Sequence, residues 1–336
     1  VTTAPTGASA ITLTDKSKTV IAWAITTGEA GMRTQARGLA QAAADEVVEK
    51  IVSVRWPWSW FQAGWPGLLD GVDPAEGDRL GPPWPDLIVT CGRRAGIVGV
   101  AVKAAAAGRP ALVHVQDPLA PLRDFDLVVA MEHDRVSGPK VLKVLTALHD
   151  MTPERLAVAR AAWAPRFAHL PRPLIGVLLG GPTNGSPFGA AEARLLLKRL
   201  GALRARTGGG AAVVSSRRTP EEVLALFAQA AKNDPGLWVW DRAGDNPYVG
   251  VLAVADRLVV TGDSVSMISE ALATAHPVEI FLPHIRKRHA GFIQSLLDGR
   301  YARLFDAEAA PAAPRPMLDA TLEAGAAVRA VMAKRR

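Results

Sequence analysis

The residues best placed to do chemistry in this chain cluster where apolar, strand-length runs end. The richest segment is Arg257 to Pro283, RLVVTGDSVSMISEALATAHPVEIFLP. There a buried-strand pattern runs into Gly262, Asp263 and Ser264, then into a helix starting near Val265. The free backbone N–H groups and positive dipole end of such a helix form an anion site. Ser264 and Ser266 add hydroxyl donors, and Glu270, about a turn further on, can accept hydrogen bonds from ribose hydroxyls. Singly these have ordinary explanations, an N-cap serine and a surface carboxylate. Their conjunction is more specific.

Three neighbouring segments add to it. LLGGPTNG, Leu178 to Gly185, offers Gly180, Gly181 and Gly185 in a strand-to-helix turn where backbone can approach phosphate closely, with Asn184 a further candidate contact. It is neither a Walker loop nor the spaced dinucleotide fingerprint. In SSRRTPEE, Ser215 to Glu222, Thr219 reads as an N-cap with Pro220 at the first helical position and Glu222 completing a capping box. Arg217 and Arg218 sit at the preceding strand's end, where a guanidinium fork suits a diphosphate. In DRAGDNPYVG, Asn246 and Tyr248 are candidates for contacting a base or ribose.

The first half offers comparable loops. Glu29 lies in TTGEAGMRTQARG, and TCGRRAG sets Arg93 and Arg94 at a helix start, where paired cations oppose the dipole and invite an anion. HVQDP and MEHDR bring Asp117 and His133 to strand ends, whereas His114, inside an apolar strand, reads as a core histidine. For proton transfer, Glu29, Asp117 and His133 are the candidates, unranked. Cys91 is the single cysteine, which excludes an internal disulfide and a Cys-based zinc cluster, and no metal is expected. WPWSWFQAGW holds four of the nine tryptophans, at Trp56, Trp58, Trp60 and Trp65, beside Arg55. A loop packed on its domain is one reading, and contact with a bilayer surface, where Trp is favoured at headgroup level, is the other.

Positioning these loops requires alternating strands and helices, and the chain supplies them. Strands are expected near 19–25, 86–91, 111–115 and 126–130, with helices near 34–48 and 94–107. A second series has strands near 174–179, 211–215, 237–240, 257–261 and 278–282, with helices near 190–206, 220–232, 247–255 and 264–275 and a pair closer to the terminus. That alternation predicts an α/β fold of two Rossmann-like parallel-sheet domains facing across a cleft. The expected division is a flexible tail over 1–18, a first domain over 19–163 and a linker over 164–173, where Pro165, Pro171 and Pro173 interrupt any helix. A second domain follows over 174–316, and a C-terminal helix over 317–336 packs back on the first.

With 336 residues, two domains are the default. Hydrophobic residues make up 49% and charged residues 21%, a folded composition. The net charge of +7 favours anionic partners, although no recognisable nucleic-acid motif accompanies it. No apolar run approaches the ~18 residues that span a bilayer, and a cytoplasmic protein, peripheral on a membrane at most, is expected.

Taken together, GEAGMRTQARGLA, PDLIVTCGRRAG, HVQDP, FDLVVAMEHDRVSGPKVL, LLGGPTNG, SSRRTPEE and WDRAGDNPYVGVLAVADRLVVTGDSVSMISEA resemble the ELM family. That family is named for a plant mitochondrial-fission ("elongated mitochondria") protein and has bacterial relatives. The resemblance runs from about Ile21 to Leu304 and implies the GT-B glycosyltransferase architecture. The layout from Asp245 to Pro283 is also similar to the nucleotide-sugar site of MurG-like transferases. By that likeness Gly181, Ser264, Ser266 and Glu270 surround the nucleotide, and Arg218 serves as a phosphate ligand. The chain departs from the pattern in having Gly-Asp-Ser-Val-Ser instead of a Gly-Ala-rich turn, and Glu29 where that group has a His-containing Gly loop.

The resemblance implies a metal-independent glycosyltransferase, with a nucleotide-diphosphate sugar in the second domain and a lipid or saccharide acceptor in the first. The alternative is a non-catalytic scaffold at a membrane, with contact through 56–65. A nucleotide-sugar epimerase is set aside because the dinucleotide fingerprint and a Tyr-x-x-x-Lys pair are both missing.

Overall fold

The computed structural model describes residues 19–60, 64–65, 67–183, 187–284, 287–309 and 315–335. The apolar runs pair into two six-stranded sheets, every ladder parallel. The first is built from β1 (Ile21–Thr26), β2 (Glu46–Ile51), β3 (Leu87–Cys91), β4 (Ala111–Val115), β5 (Leu127–Met131) and β6 (Val141–Val144), in the order β2-β1-β3-β4-β5-β6. The second holds β7 (Leu174–Leu179), β8 (Gly210–Ser215), β9 (Leu237–Val239), β10 (Arg257–Thr261), β11 (Val278–Phe281) and β12 (Arg303–Leu304), in the order β12-β11-β10-β7-β8-β9. Strands β3, β4, β7, β8 and β10 are buried along their whole length, as sheets covered on both faces require.

Helices α1 (Ala30–Ala43) and α2 (Arg93–Ala105) flank the first sheet. After β6 the chain crosses to α3 (Pro153–Phe167). The second sheet is covered by α4 (Ala190–Thr207) and α5 (Glu221–Ala231) on one face. On the other lie α6 (Tyr248–Val254), α7 (Val265–Leu272) and α8 (Lys287–Asp298). The last helix, α9 (Ala320–Ala333), returns to α1, and its Ala320, Ala324, Val328 and Met332 enter the core of the first half.

Three strands and one helix boundary differ from expectation. The helix expected over 34–48 ends at Ala43, because Ala44 is already extended and the β-branched Val47, Val48 and Ile51 pair with β1 instead. The Asp45 carboxylate accepts the Val20 N–H at 2.8 Å, tying the start of that pair. Strands β6 and β12 were not expected, being short edge strands without a long apolar run. Pro165 does not break α3. It lies in the last turn, where Phe167 is buried and stacks on Trp163 with ring centroids 5.6 Å apart.

Candidate functional site

The carboxyl ends of β7, β8 and β10 meet at Gly180 and Gly181. The Gly180 N–H donates to Thr261 Oγ1 at 2.7 Å and the Gly181 N–H to Asp263 Oδ2 at 3.0 Å. Thr219 Oγ1 donates to the Gly180 carbonyl at 2.5 Å. A β-carbon on Gly180 would lie 2.2 Å from Asp263 Oδ2, and one on Gly181 2.1 Å from the Arg218 backbone carbonyl, so with Asp263 in place both positions exclude a side chain. Asp263 is 8% exposed; its Oδ2 also accepts from Arg218 Nη2 at 3.0 Å, while Oδ1 accepts no hydrogen bond from the described residues. Ser264 is the N-cap of α7 and accepts the Met267 N–H at 3.4 Å, with Ser266 in the first helical turn.

Gly180, Gly181, Arg218, Gly262, Asp263, Ser264 and Ser266 therefore come together at one end of the sheet. Arg217 is exposed beside them, and Asn184 and Gly185 lie outside the described residues. Thr219 is not the N-cap of α5, which is Pro220. Its hydroxyl is drawn instead to the carbonyls of Leu179 and Gly180, and it is buried. Arg242, which the sequence reading passed over, clamps the same loop by donating to Ser215 Oγ and to the carbonyls of Ser216 and Thr219. Its backbone is left-handed, φ 67°, and in the sequence it is marked only by standing two residues before the Gly-Asp-Asn turn.

Glu270 is no surface carboxylate. It is 9% exposed and accepts a hydrogen bond from the Tyr248 hydroxyl. Burial pushes its carboxyl up to about 7, with nearby Asp150 adding to the rise and Tyr248 and Arg155 opposing it. Burial also pushes the Tyr248 hydroxyl well above its usual value, and Glu270 reinforces that. Asn246 caps the turn by accepting the Tyr248 N–H at 3.0 Å. Around this pair the halves meet: buried Asp150 pairs with Arg155 of α3 and Arg37 of α1, and Arg37 reaches Glu49 at 3.0 Å. The Ala147 N–H donates to Ser269 Oγ at 3.0 Å across the same seam.

In the first half, Glu29, Asp117 and His133 follow β1, β4 and β5, so β1 and β5 stand three strand spacings, ~14 Å, apart. The Glu29 carboxyl is held below its usual range by the Thr27 hydroxyl, which donates to it at 2.6 Å, with Arg94 contributing. Asp117 Oδ1 accepts the Leu119 N–H at 2.9 Å, and His133 Nε2 is 3.8 Å from Asp134. His114 is a core histidine: fully buried, its Nδ1 2.7 Å from Thr90 Oγ1, and pushed down to about 3 by burial. Cys91 is buried and pushed up to about 12. Trp58 packs against Gly71, while Trp56, Trp60 and Trp65 are 77%, 78% and 54% exposed. Among the described residues no helix is long and apolar enough to cross a membrane.

A cavity of about 480 Å³ lies at the amino-terminal ends of β3 and β4, lined by Trp84, Arg109, Met332 and Arg335, away from all these loops.

The family model described as mitochondrial fission ELM1 matches residues 30–332. The chain is 30% identical over 277 residues to the mitochondrial fission protein ELM1 of Arabidopsis thaliana, a match covering 75% of this chain and 65% of that protein. It is 25% identical over 260 residues to the uncharacterized protein RP120 of Rickettsia prowazekii, covering 66% and 72% respectively. Among solved structures, the UDP-GlcNAc 2-epimerase of Methanocaldococcus jannaschii superposes with a TM-score of 0.59 at 11% identity, over 93% of this chain and 99% of that one. The same organism's enzyme in complex with UDP-GlcNAc and UDP gives 0.51 at 10% identity, again over 93% and 99%. These likenesses establish the GT-B-like fold. They also narrow one exclusion: a missing dinucleotide fingerprint argues only against epimerases built on that fingerprint.

Proposed function

The chain belongs to the mitochondrial fission ELM1 family, and on that premise we propose that it binds a nucleoside-diphosphate sugar at the Gly180–Gly181 turn and transfers the sugar to an acceptor held by the first half. The observation that carries this reading is the convergence of that turn with Arg218 and the amino end of α7, in a fold that the M. jannaschii enzyme uses to bind UDP-GlcNAc and UDP. Backbone N–H groups at the amino end of α7 and the Arg218 guanidinium are suited to a leaving diphosphate.

In the transfer, the acceptor hydroxyl oxygen bonds to the anomeric carbon as the bond from that carbon to the diphosphate breaks, and the hydroxyl proton passes to a base. His133 suits this role best of the three candidates, since the neighbouring Asp134 carboxylate supports the imidazolium it becomes. Glu29, held ionised, is the weaker proton acceptor. The acceptor is a lipid or a saccharide.

The test is calorimetric titration of the full chain with UDP, GDP, ADP, CMP and their sugar conjugates, followed by a transfer assay with whichever binds. One nucleotide class binding at micromolar to submillimolar concentration supports the reading, and silence from all at millimolar concentration overturns it. The exposed Trp56, Trp60 and Trp65 favour a second reading, a scaffold resting on a membrane surface, which the same silence would promote.

A further inference from the structure

Asp263 stands where the ligand's charge is expected. Its Oδ2 takes both the Gly181 N–H and the Arg218 guanidinium, each at 3.0 Å, and the whole side chain packs over the Gly180–Gly181 turn, more than nine-tenths buried. These are two of the donors that suit a diphosphate at this place. The Arg218 charge is cancelled within the protein, and a buried carboxylate repels any phosphate brought beside it. Only one carboxylate oxygen is tied, since Oδ1 accepts no hydrogen bond from the described residues. A single-oxygen anchor can be exchanged for a ligand oxygen by rotating the side chain away.

We propose that Asp263 is an internal occupant of the anion-binding turn, a carboxylate that a ligand diphosphate must displace, and that it thereby sets the affinity and selectivity of the site. The proposal rests on the nucleotide reading of that turn. A carboxylate here disfavours ligands that offer only negative charge. It favours those that repay its displacement with further contacts, as the sugar of a nucleotide sugar can. Ser264, next in sequence, caps α7, so moving the Asp263 side chain leaves the helix start intact.

The test is isothermal titration of the full-length wild type, Asp263→Asn and Asp263→Ala with UDP and with pyrophosphate as probes, and uridine as a phosphate-free control. The Asn variant is nearly isosteric and keeps an acceptor for Gly181, which guards against a loss of folding, and melting temperatures check both variants. Both should bind UDP and pyrophosphate at least ten-fold tighter than wild type, with uridine unchanged. The gain should largely disappear when Arg218→Ala is added to Asp263→Ala. Wild-type binding with equal affinity in the variants overturns the role of Asp263 alone. Weaker binding by folded variants also overturns it, and makes Asp263 a group that helps hold the ligand. No binding by any of the three folded proteins removes the nucleotide site and this proposal together.

Discussion

The Tyr248 hydroxyl donates to the Glu270 carboxylate, and the two side chains close the seam between the halves, beside the Asp150–Arg155 ion pair. Tyr248 opens α6 and Glu270 lies in α7, so one hydrogen bond joins two helices on the same face of the second sheet.

Burial of Glu270, which the Tyr248 bond only partly offsets, makes stability depend on pH. The Glu270 carboxyl titrates at about 7 in the fold against 4.5 as an ordinary glutamate, so the folded chain keeps a proton that the unfolded chain releases. Stability from this group is full below 4.5 and is lost as pH rises through about 7, on the order of 3 kcal/mol in total. Glu270→Gln, which mimics the protonated form, should match wild type at pH 4 and exceed it by roughly that amount at pH 8. Denaturation curves at both pH values check this, and an equal difference at both would sink it. Tyr248→Phe, by removing a bond that favours the ionised form, should shift the loss to higher pH.

Asp150→Asn removes a buried anion shared by Arg37 and Arg155. The expected cost is about 2–3 kcal/mol, toward the low end for a broken buried pair because both arginines keep some contact with solvent. Thermal unfolding should show it as a lower melting temperature.

Glu279 is fully buried on β11 between Arg257 and Arg303. Glu279→Ala leaves Arg257 buried without its anion and should cost about 3–5 kcal/mol, measured by chemical denaturation. A loss under 1 kcal/mol would mean that the two arginines find water or other partners.

Changing Trp56 and Trp60 together to Ser should lower stability by no more than about 1 kcal/mol, since exposed substitutions shift it by only about 0.5 kcal/mol each. In sedimentation with anionic liposomes the variant should pellet less than wild type. Equal pelleting would exclude these tryptophans as a membrane contact.

The parallel architecture was legible because buried strands such as Leu174–Leu179 and Arg257–Thr261 announce themselves as unbroken apolar runs ending in glycine or a small polar residue. Of the four edge strands only Leu237–Val239 was legible; Glu46–Ile51 continued a helical pattern, and Val141–Val144 and Arg303–Leu304 alternate with charge and bury little. The converging turn was legible in residue types, since Gly180, Gly181, Arg218 and Asp263 were all singled out. Their mutual pairing was hidden, because whether an Asp caps a helix, faces a ligand or takes a neighbouring arginine is decided by loops about 40 and 80 residues apart in the chain. Glu270 illustrates the same limit: its spacing from Ser264 suits a ribose contact, yet nothing local marks Tyr248 as its partner. Thr219 was read as a cap because its neighbours fit one, and the carbonyls of Leu179 and Gly180 won the competition for its hydroxyl.

The return of α9 to α1 has a bearing on how the chain comes off the ribosome. Four residues from near position 330 complete a core whose other members were made before position 150. At roughly 5–20 residues per second, the first sheet waits tens of seconds with one flank open while the whole second half is synthesised and can already close on itself. The later-made half is thus free to fold first, and the earlier-made half is finished last, over a stretch when its uncovered apolar face is a target for chaperones.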